Sequence, residues 1–98
     1  MKLDFAARAL NEMERRGRWW ITNRPAAPLL FAEELNRAFD LIKASPLLGA
    51  IYAYKRGTAI RRVLLPRTEY HLYYRQDGPE LLRVLSVWGA TREHGPKL

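Results

Sequence analysis

His71 and His94 are the only two side chains in this 98-residue sequence whose ordinary pKa, about 6.5, suits proton transfer near neutral pH. Around His71 runs a basic cluster of Lys55, Arg56, Arg61, Arg62, Arg67 and Arg75, in a window whose only acid is Glu69. Tyr70, Tyr73 and Tyr74 are interleaved with it and offer faces for base stacking, although tyrosines in such a pattern are more often sheet and core residues with a wet hydroxyl. Two isolated histidines do not make a metal site, and no Gly-rich phosphate loop, serine elbow or paired-carboxylate signature is present. With no cysteine there is no thiolate nucleophile, no disulfide framework and no Cys-ligated zinc or iron–sulfur site. The expectation is a domain with no metal and no cofactor.

Composition bounds the partners. The formal net charge is +7, and thirteen of the seventeen basic residues are arginine. Residues 49–98 carry nine basic and four acidic side chains, against eight and six in residues 1–48. A planar guanidinium fork suits phosphate or carboxylate, so the excess points to a nucleic acid or an acidic protein surface. Solubility alone also accounts for a charge of this size, but it does not require arginine over lysine. No apolar run approaches the roughly 18 residues of a membrane span. Asp4 and Arg8 interrupt any signal-peptide stretch, so a cytoplasmic protein is expected.

Two helices and a sheet must position these residues within one domain, residues 1–98. Ala6, Leu10, Met13, Gly17 and Trp20 recur at steps of four and three and define one helical face, leaving Glu12, Glu14, Arg15, Arg16 and Arg18 on the others. Asn23-Arg24-Pro25 ends that helix. A second begins near Pro28 with a stripe of Phe31, Leu35, Ala38 and Ile42, and Ser45-Pro46 closes it. The short connection predicts an antiparallel helical hairpin over about 6–44. Trp19 and Trp20 lie about 100° apart around the first helix, so one packs on the sheet, and the other either packs on the second helix or stays partly exposed as part of a protein interface.

After Gly57 the period becomes extended. Strands are predicted over Ala59–Leu65, Tyr70–Arg75 and Leu81–Trp88, the last lying centrally with Trp88 in the core. Tyr70, Leu72 and Tyr74 share one face, and His71, Tyr73 and Arg75 the other. Gln76-Asp77-Gly78-Pro79 reads as the turn. Lys2–Phe5 adds a short edge strand. The expected fold class is α+β, in the order β-α-α-β-β-β: a helical hairpin on a three-stranded antiparallel sheet (about 58–88) with a polar tail, 89–98. Consecutive Arg61 and Arg62 point to opposite faces, one to pair with a carboxylate on the hairpin and the other to join Arg67 and Arg75 in an exposed basic surface.

The series FAARAL, WW..NRPAAPLLF..EL, P..G, IRRVLLPRTEYHLYYR and LLRVLSVWGA resembles the RelE/ParE superfamily, the toxin halves of type II toxin–antitoxin pairs, from Phe5 to the C-terminus. The resemblance implies a cognate antitoxin and one of two activities. ParE-like members poison DNA gyrase by binding and inhibit growth; RelE-like members are endoribonucleases that cleave mRNA on the ribosome. In the nuclease branch two basic residues alternate before Pro66, where this chain has Arg62 and Leu64. A third basic residue is replaced by His71, and a fourth falls at Ala90 or, with a shift, Arg92. The C-terminal tyrosine of many members has no counterpart after Tyr74.

These departures favour the gyrase-binding branch, with no catalytic residues. If the chain is a metal-independent nuclease, His71 and His94 are its acid–base pair and Arg62 and Arg92 hold the phosphate. A third reading is an antitoxin-binding remnant that has lost toxicity. The surface for antitoxin or target is expected at Trp19, Arg61, Arg62, Arg67, Tyr73, Arg75 and Arg92. The antitoxin segment should be acidic and amphipathic.

Overall fold

The two helical stripes form helices α1 (Ala7–Asn23) and α2 (Leu30–Ala44) in a computed structural model that describes residues 1–98. Neither helix has a side-chain N-cap. Glu33 in the first turn of α2 and Lys43 in its last complement the helix dipole. Neither helix is long and apolar enough to cross a membrane.

The sheet has one strand more than the sequence pattern predicts. Its strands are β1 (Lys2–Phe5), β2 (Ala50–Lys55), β3 (Thr58–Leu65), β4 (Tyr70–Gly78) and β5 (Leu81–Gly89), in the spatial order β1-β5-β4-β3-β2. β1 runs parallel to β5 and every other pair is antiparallel, so the sheet is mixed. The α+β order holds, and β5 does lie inside the sheet, between β1 and β4. The added strand β2 pairs with β3 through Arg56 and Gly57, whose φ angles of 52° and 80° are both left-handed, as a tight two-residue hairpin requires. The second hairpin also differs from expectation. Asp77 and Gly78 belong to β4, Gly78 faces Leu81, and the loop is Pro79-Glu80. Asp77 is held in the strand by ion pairs to Arg75 and Arg83.

The hairpin packs on one sheet face around Phe31, Leu35, Ile42, Leu72, Tyr74 and Val84. In α1 the buried face is rotated from the predicted stripe: Leu10 is 52% exposed, and the buried residues are Ala9, Glu12 and Trp20. Glu12 turns inward because its carboxylate accepts from Ser86 Oγ at 2.8 Å and Val87 N at 3.1 Å, satisfying groups in β5. The opposite sheet face carries a smaller cluster of Ile60, Tyr73 and Leu85, flanked by Tyr52, Trp88 and Leu98. Leu98 lies in the segment expected from sequence to be a polar tail. The last residues therefore fold back as a cover on this outer face, and Pro96 is buried there.

Candidate functional site

Strand alternation places Arg62 beside Tyr73 and Leu64 beside His71 on the outer sheet face. Arg62 Nη1 donates to the Tyr73 hydroxyl at 3.4 Å, and its guanidinium lies 5.2 Å from the centre of the Tyr52 ring. The Tyr52 and Tyr73 rings meet edge to face at 4.8 Å. Burial, reinforced by the Arg62 charge, holds His71 below the usual histidine pKa, so its neutral form is favoured. Across β5, His71 faces Trp88. That indole is half-buried rather than core: the Arg8 and Arg92 guanidiniums sit 5.7 and 4.5 Å from its centre, and its Nε1 donates to the His94 carbonyl at 2.9 Å. The structure thus gathers Arg62, His71, Tyr73, Arg92 and the His94 backbone around one aromatic row, but neither imidazole hydrogen-bonds within the chain.

The final segment is strapped to this row through backbone carbonyls. Tyr52 Oη donates to Pro96 O at 3.4 Å, Arg8 Nη1 to Lys97 O at 2.6 Å, and Lys55 Nζ to Leu98 O at 2.8 Å. Gly95 is required by close approach, because a Cβ there would overlap Tyr52 Oη and lie 2.9 Å from Cζ. The Tyr52 ring is packed on Tyr73 and has little room to retreat. Gly95→Ala is therefore expected to lift residues 93–98 and expose Tyr52 and Trp88, with a global stability loss below about 1 kcal/mol because the helix-side core is untouched. Solvent exchange of the Trp88 indole Nε1–H, which donates to the His94 carbonyl, checks this; an unchanged exchange rate would contradict it.

The remaining nominated residues lie elsewhere or are engaged. Arg61 does point to the other face, but its partners are carbonyls, Gly49 O at 2.9 Å and Leu47 O at 3.3 Å, instead of a hairpin carboxylate. Arg75 is bound to Asp77, which also binds Arg83, and Arg83 continues to Asp4. The Arg75 and Arg83 bonds outweigh burial and hold the Asp77 carboxyl below the usual range. The predicted exposed patch of Arg62, Arg67 and Arg75 is therefore not continuous. Arg67 is exposed, and Trp19 is 44% exposed with Arg24 stacked 4.8 Å from its ring, while Trp20 packs inward as expected. Arg8 and Tyr52 were not singled out by sequence; Tyr52 lies in the strand the pattern missed, and Arg8 reads as a solvent residue. No cluster of three or more His, Cys, Asp or Glu side chains is arranged to hold a metal ion.

No protein-family model matches the chain, and no curated protein matches it. Among solved structures it is similar to a chain of the chromosomal ParDE TA system from P. aeruginosa, with a TM-score of 0.71 over 91% of this chain and 95% of that one. The chain has the RelE/ParE-like fold. At 15% identity the two share a backbone architecture and few side chains. On the side away from the hairpin this sheet carries Arg62, His71 and Trp88 half-buried, whereas Tyr73, expected on the binding surface, is 1% exposed and forms part of the core beneath them.

Proposed function

We propose that this chain is a ParE-like toxin of a type II toxin–antitoxin pair. It acts in the cytoplasm by binding and inhibiting DNA gyrase, and a cognate antitoxin neutralises it. The observation that carries this reading is the match in fold, over 91% of this chain, to a chain of a ParDE system. The outer face supports binding over catalysis: Leu64 stands where the resemblance to the nuclease branch would call for a second cation, and neither imidazole has a hydrogen-bond partner to orient it. An acidic, amphipathic antitoxin segment complements the +7 domain and the exposed apolar residues of the hairpin, such as Leu29 and Leu41.

The purified chain is expected to inhibit gyrase supercoiling and to leave ribosome-bound mRNA intact. A ribonuclease reading draws on one observation, the shared face of Arg62 and His71. Under it, ribosome-dependent cuts appear, and His71→Ala combined with His94→Ala abolishes them. Growth of cells expressing the chain alone, with no effect on gyrase or mRNA, would leave only the antitoxin-binding remnant.

A further inference from the structure

The middle of α1, the start of β4 and the segment after β5 form a recess of about 400 Å³ that borders the strapped row through Arg92. Arg15, Arg16 and Arg92 line it, with Glu69 as the only acid and Trp19 and Tyr70 as aromatic walls. None of the three arginines takes part in an ion pair, whereas Arg8, Arg18, Arg75 and Arg83 all do. Arg16 Nε is shielded from solvent and has no hydrogen-bond partner. Its guanidinium is held 5.4 Å from the Tyr70 ring centre, and Arg92 is fixed on Trp88 with its chain passing closely over Gly89. Burial draws Arg16 below the usual arginine range, opposed by Glu12 and Tyr70 and reinforced by Arg92 and Arg15. A partly desolvated, unpaired cation is costly unless an anion joins it.

We propose that this recess binds a phosphate monoester, with Arg15, Arg16 and Arg92 on its terminal oxygens and the organic part lying against Trp19. Three guanidiniums and one carboxylate leave a formal +2, which matches the charge of about −1.5 to −2 and the three terminal oxygens of a monoester. A single carboxylate supplies one charge and two oxygens and leaves a fork unused. A nucleic-acid backbone carries one charge per phosphate and needs a cationic track, yet Arg61, Arg75 and Arg83 are already engaged. The recess is independent of whether the chain acts on gyrase.

The test titrates the full chain at constant ionic strength with inorganic phosphate, uridine 5′-monophosphate, acetate or single-stranded oligonucleotides of increasing length, and reads the Arg16 Nε–Hε and Trp19 indole resonances. Saturable movement of Arg16 with both phosphates is expected, with Trp19 moving only with the nucleotide. Arg15→Ala and Arg92→Ala should each weaken phosphate binding about tenfold or more, and Trp19→Phe should leave inorganic phosphate binding unchanged. Both arginines are exposed, so these variants are expected to fold, and circular dichroism verifies it. Equal movement with acetate, no saturation, or binding only to a long oligonucleotide with length-dependent affinity would each overturn the proposal.

Discussion

Glu34→Ala is expected to lower folding stability by about 3 kcal/mol, because it leaves buried donors without an acceptor. Glu34 is 5% exposed. Its Oε1 accepts from Thr68 N at 2.9 Å and Thr68 Oγ1 at 2.6 Å, and its Oε2 from Arg67 N at 2.8 Å. The carboxylate therefore does for the turn between β3 and β4 what a strand would do, and pins it to α2. Glu34→Gln keeps one acceptor oxygen and should cost roughly half as much. Urea midpoints of the full chain decide this; a loss under about 0.5 kcal/mol for the alanine variant would mean that water replaces the carboxylate.

The same residue sets an acid limb. Burial alone would raise its pKa, but the Thr68 side chain and the Arg67 and Thr68 amides outweigh burial and hold it below the usual glutamate value. The unfolded chain then binds the proton at higher pH than the folded one. Glu34 thus contributes its full stability above the ordinary glutamate range, and that contribution is lost as pH falls through the folded value. Asp77, also held low, acts in the same direction. Stability of Glu34→Ala should consequently fall less steeply between about pH 5 and pH 3 than that of the parent.

Glu12 plays the corresponding part in α1, tying Ser86 and Val87 of β5 while its second oxygen accepts from Arg8 at 3.2 Å. Each helix is thus joined to the sheet by one buried carboxylate. Sequence spacing cannot reveal this, because Glu12 and Glu34 sit among exposed charges such as Glu14 and Glu33. What was legible is what depends on periodicity: both helices, the inward turn of Trp20, the Ala59–Leu65 and Leu81–Trp88 strands, and the opposite faces of Arg61 and Arg62. Strand β2 escaped because Ala50, Ile51, Tyr54 and Lys55 are exposed at the sheet edge, so no alternation of burial was selected. The strap over the outer row escaped for a different reason. It is held by the carbonyls of His94, Pro96, Lys97 and Leu98, which leave no trace in residue type.

Gly49→Ala is expected to be as damaging as Glu34→Ala, about 3 kcal/mol, through overpacking. A Cβ on Gly49 would fall 2.8 Å from Tyr74 Oη, 2.9 Å from Tyr74 Cε1 and 2.9 Å from the backbone oxygen of Arg62. Neither neighbour can yield cheaply. The Tyr74 ring is 1% exposed in the helix-side core, and Arg62 O belongs to the central stretch of β3. Tyr74 Oη accepts from Gly49 N at 2.9 Å and donates to Pro46 O at 2.9 Å, while Arg61 holds the Gly49 and Leu47 carbonyls. One added methyl therefore strains the clamp that carries the chain from α2 into β2. The entropy gained by removing a glycine, about 0.4–1 kcal/mol, is too small to offset it. Tyr74→Phe in the same background removes the nearest contact but leaves those to Cε1 and Arg62 O, so it should restore little and also forfeit the Pro46 bond. Equilibrium unfolding of the two single variants and the double variant measures the coupling. A Gly49→Ala midpoint within about 0.5 kcal/mol of the parent would show that the loop from Pro46 to Gly49 shifts freely.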